Sequence, residues 1–176
     1  MKDQEVIDMG WEKYWEEMEK DLSYVDVGIL SKDGSESVDG GINLAKLATV
    51  HEYGTQINVT QKMRMYLMAT GLPLKKETTQ ITIPARPFMR QTFDEQEPEL
   101  SRAADRLEKK VLNGLSTKRD ALAELGQRHR QAIQRNMKTK GKFEPNHPYT
   151  LDKKKPKTTP LIDTGRMRQA IDYEVG

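Results

Sequence analysis

The sequence predicts an α+β fold: a small, mainly antiparallel sheet packed by helices, with a long helical region and an extended C-terminal arm. Three observations carry this. Short β-rich runs at Tyr24–Leu30 and Thr78–Ile83 lie between amphipathic helical stretches. The run from about Glu97 to Met137 keeps apolar residues at helical spacing: Leu100, Ala103, Ala104, Leu107, Val111 and Leu115, then Leu122, Leu125, His129, Ile133 and Met137. Strand and helix signals do not alternate regularly, which favours α+β over a parallel α/β sheet.

The elements follow in order. Asp3 to Leu22 reads as an amphipathic helix with Ile7, Trp11, Tyr14, Trp15, Met18 and Leu22 on one stripe and Glu12, Glu16 and Glu19 opposite. Asn43 is placed to cap a short helix, Leu44 to Tyr53, and Gly54 to end it. Gln56 to Val59 reads as a short strand. Thr60 then caps a helix from Gln61 to Thr70, whose Met63, Met65, Tyr66, Leu67 and Met68 read as core filler, with an assembly contact as the alternative. Pro84 and Pro87 force a rigid, extended path after the second strand. Asn113-Gly114 leaves open whether the long helical region is one kinked helix or two. Lys138 to Thr159 holds Pro145, Pro148, Pro156 and seven lysines with few apolar residues, and reads as an extended arm. About 20 such residues span up to roughly 65 Å, enough to reach a neighbour. A short helix capped by Asp163 or Thr164 closes the chain, with Met167, Ala170 and Ile171 inward and a final strand at Tyr173–Val175. The domain division is therefore a core over 1–137, an arm over 138–160 and a returning segment over 161–176.

Composition narrows the function. The 176 residues are 35% hydrophobic and 32% charged, with a mean hydropathy of −0.82. That is a thin core, and a chain this polar either carries extended segments or buries extra surface against partners. No cysteine is present, so disulfides and thiolate metal sites are excluded. No apolar run is long enough to span a membrane, and a protein made and used in the cytosol fits best. Charge is polarised along the chain. Residues 1–100 hold 11 basic and 18 acidic groups (11 − 18 = −7), and residues 101–160 hold 16 and 6 (16 − 6 = +10). Such asymmetry suits head-to-tail contact between copies, or a nucleic-acid surface.

Catalytic patterns fail on inspection. His51-Glu52 opens like the zinc-protease helix motif, but Thr55 stands where the second histidine belongs. Asp163-Thr-Gly165 lacks the second carboxylate loop an aspartic protease needs. The three histidines, His51, His129 and His147, sit in unrelated contexts. The reading is a non-enzyme with no metal and no cofactor. The basic tract Arg128 to Lys142 and Lys153-Lys154-Lys155 would give salt-sensitive, non-specific DNA contact, without a base-reading motif.

Three segments place Gly or Pro beside charged and aromatic residues: Glu52-Tyr53-Gly54 at a helix end, Ile83-Pro-Ala-Arg-Pro-Phe-Met-Arg90, and Pro160-Leu-Ile-Asp-Thr-Gly-Arg-Met-Arg-Gln-Ala-Ile171. In this order the chain from about Asn43 resembles the virion-morphogenesis family of long-tailed and Mu-like phages, whose members are called tail-completion, neck or minor tail proteins. The resemblance implies a structural subunit forming a ring of six or twelve copies at the head–tail junction of the virion. Its neighbours there would be connector and tail proteins, with DNA in the lumen. Tail-terminator and head-closure roles are the alternatives within that family. The candidate interface residues are Glu52, Tyr53, Arg86, Phe88, Arg90, Lys153, Lys154, Lys155, Arg166 and Arg168. The turns that aim them are Gly54, Pro84, Pro87, Asp163, Thr164 and Gly165. Arg86 and Arg90, stiffened by prolines, are suited to bidentate pairing with a carboxylate such as Glu52, within a chain or between chains.

Overall fold

A computed structural model describes residues 23–30, 34, 35, 37 and 41–176. The amphipathic stretch at Asp3–Leu22 lies outside the described residues. The described chain runs β1 (Val25–Ile29), α1 (Leu44–Tyr53), β2 (Thr55–Asn58), α2 (Gln61–Ala69), β3 (Gln80–Ile83), α3 (Arg90–Leu112), α4 (Lys118–Asn136), α5 (Pro148–Lys154), α6 (Arg166–Gln169) and β4 (Ile171–Val175). The fold is α+β. Its strands form two separate antiparallel pairs rather than one sheet. β1 pairs with β4, from Val25 opposite Val175 to Ile29 opposite Ile171. β2 pairs with β3, from Thr55 opposite Ile83 to Asn58 opposite Gln80.

Two predicted caps form as expected. The Asn43 carboxamide accepts from Lys46 N at 2.8 Å, and the Thr60 hydroxyl accepts from Met63 N at 3.1 Å. Asn113-Gly114 separates two helices. Thr117 caps the second by accepting from Asp120 N at 3.1 Å. The first of them begins at Arg90, well before the expected Glu97, and keeps Pro98 inside it.

The core gathers Leu44 and Ala48 of α1, Phe88, Ile133 and Met137 at the end of α4, and Leu161, Met167 and Ile171 of the last segment. Met167, Ala170 and Ile171 point inward as predicted. Phe143 joins the same core at 7% exposure, which corrects the extended arm. Residues 138–160 fold back on the body because Phe143 and Pro160 find apolar burial there, and α5 forms with Pro148 in its first turn and the His147 ring accepting from Tyr149 N at 3.3 Å. A second correction concerns α6. Its first flanking residue is Gly165, at φ 89, rather than Asp163 or Thr164. Both lie outside the helix, and Thr164 Oγ1 only receives a long 3.4 Å bond from Arg166 N.

α4 is the spine, packing on both α3 and the β1–β4 pair. Gly126 makes that approach possible. A Cβ there would stand 2.6 Å from Val25 Cγ2 and 2.7 Å from Tyr173 Cδ2. Helix propensity alone favours alanine at a mid-helix glycine by up to about 1 kcal/mol. Steric conflict with the β1–β4 pair outweighs that gain, so Gly126→Ala is expected to destabilise the chain by about 1–3 kcal/mol. The denaturant midpoint in urea, at unchanged m, measures it; a midpoint that rises would show the helix is free to move off the strands.

Candidate assembly surface

Two of the three sequence segments meet at one corner. α1 ends at Gly54, with φ 70 and ψ 173. A Cβ at Gly54 would lie 2.8 Å from Ala85 N and 2.9 Å from Ile83 O, so only glycine fits both the angle and the space. The chain enters β2, returns along β3, and passes the end of α1 again through Pro84-Ala85-Arg86-Pro87. There Arg86 N donates to His51 O at 2.6 Å.

Glu52, 5% exposed, holds this corner. Its Oε2 accepts from Met89 N at 3.0 Å, and its Oε1 accepts from Arg90 N at 3.0 Å. Met89 precedes α3 without a side-chain cap of its own. A carboxylate from a remote helix therefore satisfies the first free N–H groups of α3, at the end where the helix dipole favours negative charge. Arg90 closes the arrangement. Its Nε reaches Glu52 Oε1 at 3.1 Å, its Nη2 reaches Glu52 O at 3.1 Å, and its guanidinium lies 4.6 Å from the centre of the Tyr53 ring. The expected arginine–Glu52 pair thus forms within the chain, through Arg90 alone.

Arg86 goes elsewhere. Only 3% exposed, it donates through Nε to Glu144 O at 2.7 Å and through Nη2 to Pro145 O at 3.2 Å. It thereby pins the start of the predicted arm to the corner. Burial disfavours its charge and the nearby Glu144 opposes that. Phe88 is fully buried. The Phe88 carbonyl accepts from the Thr92 hydroxyl at 2.5 Å, and Asn136 of α4 donates to that hydroxyl at 2.6 Å. Arg86 and Phe88 are interior braces and carry no outward surface.

The third segment faces the other side of α1. A cleft of about 500 Å³ has Leu44, Leu47 and His51 on one wall, with Lys154, Leu161 and Arg166 opposite. Lys154 Nζ donates to Thr159 O at 3.3 Å and Pro160 O at 3.1 Å. Lys153 lies 5.6 Å over the Tyr149 ring, and Lys155 pairs with Asp152. Arg166 Nη1 reaches Ser37 O at 3.4 Å, while the Arg168 carbonyl accepts from Gln134 at 3.2 Å. His51 has a buried Nδ1 without a hydrogen-bond partner among the described residues. Burial, then Arg86 and Lys154, push its pKa down to about 4. Among the described residues no three His, Cys, Asp or Glu side chains come together as a metal ion requires.

What the corner carries outward is the β2–α2–β3 excursion. Arg64 organises it by donating to Lys75 O and Thr78 O, each at 2.7 Å. The Tyr149 hydroxyl ties it to α5 through Thr70 Oγ1 at 2.7 Å. α2 buries no residue. Met65, Tyr66 and Met68 are 59%, 64% and 63% exposed, which corrects their reading as core filler. Their position beyond the β2–β3 pair keeps them off the body. Searches of protein-family models, curated proteins and solved structures find no match for this chain.

Two outcomes test the corner. Glu52→Ala strands two part-buried N–H groups and is expected to cost about 1–3 kcal/mol. Arg90→Ala removes a side chain that is 55% exposed, and is expected to cost about 1 kcal/mol or less. Equal losses in paired urea melts would mean that the ion pair, not the cap, holds the corner. The pH test concerns His51. Its folded pKa of about 4 lies below the 6.5 of the free side chain. Between these values the unfolded chain holds a proton the folded chain refuses. Stability from this group is therefore complete above pH 6.5 and lost as pH falls toward 4. From about pH 7.5 to about pH 5 the loss amounts to roughly 2 kcal/mol. Replacing His51 by leucine is expected to remove that slope; an unchanged slope assigns it to other groups.

Proposed function

We propose that this chain is a non-enzymatic structural subunit of a phage head–tail junction. In this reading it is a neck or tail-completion protein that joins a ring of its own copies to connector and tail proteins in the virion. The observation that carries the reading is the α2 surface. A helix with three large apolar side chains in solvent is held out on a two-stranded stem, and the stem is fixed at its base by Glu52, Gly54 and Arg90. Exposed apolar surface on a braced projection is what a docking element needs. Ring closure further requires two different patches on each copy, and the opposite net charges of residues 1–100 and 101–160 in the sequence would suit such a contact.

The nucleic-acid reading has less support. Several of its cations are engaged within the chain: Arg128 with Glu124, Arg130 with Asp172, Lys142 with Glu95 and Lys155 with Asp152. Exposed Arg135, Lys138 and Lys140 would allow weak, salt-sensitive contact with DNA in a lumen.

The purified chain is expected to be monomeric or weakly associated, with assembly completed on its neighbours. Tyr66→Glu and Met65→Glu should leave circular dichroism and melting unchanged, because both side chains are exposed. Each should abolish incorporation into particles and leave heads and tails unjoined in electron micrographs. Particles assembled normally from either variant, or an image of the particle in which α2 touches nothing, overturn the proposal.

A further inference from the structure

The molecule has a second apolar surface, distant in sequence from α2. A groove of about 360 Å³ runs between α3, α4 and β1, lined by Val25, Val27, Phe93, Leu100, Leu125 and His129. Glu97, Ser101 and Ala104 complete its α3 wall. Phe93 is 51% exposed, yet its ring meets His129 edge-on at 5.7 Å. It is therefore held in place at the mouth of the groove without being covered. Burial holds the His129 pKa below its ordinary value, so its ring is uncharged near neutrality.

We propose that this groove receives the chain's own N-terminal segment, residues 3–22, with Trp11 and Trp15 seated in it. Three observations identify the occupant. The first is reach: β1 forms one edge of the groove through Val25. Only Ser23 and Tyr24 separate Leu22 from Val25, so covalent geometry keeps Leu22 within about 11 Å of the groove's edge. The second is pattern: the segment repeats apolar residues at Ile7, Trp11, Tyr14, Trp15 and Met18, a single stripe if helical. The third is length: that stripe covers 18 − 7 = 11 residue steps, and the α3 wall from Phe93 to Ala104 covers 104 − 93 = 11. Both correspond to about 16 Å of helix. A tether of two residues also gives the segment an effective concentration that a free partner does not match. The inference does not depend on the phage reading.

Both tryptophans of the chain lie in this segment, so intrinsic tryptophan emission from the full chain reports its docking without labels. Native emission should be shifted to the blue of free tryptophan and resist acrylamide quenching. Ala104→Glu should shift it to the red and raise the quenching constant several-fold. Ser101→Glu, at an exposed helical position that tolerates glutamate, should do the same. Circular dichroism confirms that the helices persist in both. Solvent-like emission from the native chain overturns the proposal, and so does a blue shift that neither groove variant alters. A blue shift lost on dilution, together with a dimer mass by light scattering, overturns it in favour of a second copy as the source of the segment.

Discussion

The carboxylate of Glu52 is the constraint on which the rest of the structure depends. It belongs to α1 by sequence and to α3 by function, because it accepts the Met89 and Arg90 N–H groups that begin the longest helix. Two helices are thereby locked end to end across a 37-residue interval (89 − 52 = 37). The β2–α2–β3 excursion occupies that interval. Its two ends are brought together at Gly54 and Ala85, where the backbone approach leaves no room for a Cβ. A stem anchored this way transmits the orientation of the body to its tip. Satisfying part-buried donors with a charged acceptor is also more stabilising than the exposed half of the Arg90 pair, since screening weakens the latter more than the former.

What was legible in the sequence was local. Asn43, Thr60 and Gly54 mark the limits of α1 and α2 because their chemistry acts within three or four residues. Ile81 and Ile83 alternate with polar neighbours, and β3 follows from that. What was not legible depended on partners far along the chain. The start of α3 escapes local reading because Glu52, far back in the chain, supplies its cap. The fold of residues 138–160 rests on Arg86 bonding to the Glu144 and Pro145 carbonyls and on Phe143 reaching the core. Lysine and proline content describes that segment's solvent face and says nothing of these contacts. α2 misled in the opposite sense: a short helix apolar on several sides reads as buried, whereas the stem holds it clear of the core.

The candidate site divides along the same line. Glu52, Tyr53 and Arg90 do converge, as the motif chemistry suggested, and Gly54, Pro84 and Pro87 do shape the turn. Arg86 and Phe88, equally prominent in sequence, are interior. Proline-flanked arginine signals a fixed guanidinium and leaves its direction undetermined; only the carbonyls of Glu144 and Pro145 decide that it points inward. The third segment meets α1 through the His51–Lys154 cleft rather than through the Glu52 corner, so α1 has a motif on each side.

This arrangement explains why so polar a chain tolerates two uncovered apolar surfaces. Its core is small, gathered where α1, the end of α4 and the last segment meet. Stability then rests heavily on directional bonds such as those of Glu52, Arg86, Arg130 and Asn136, each joining elements distant in sequence. Directional bonds fix geometry without consuming apolar area. The methionines and tyrosine of α2 and the aromatic mouth of the α3–α4 groove are thereby left for contacts outside the core. In a chain with 35% hydrophobic residues, placing that many of them in solvent is costly unless something covers them. The two-residue link to Val25 keeps the N-terminal segment within reach of the groove, and no described element covers Met65, Tyr66 and Met68 of α2.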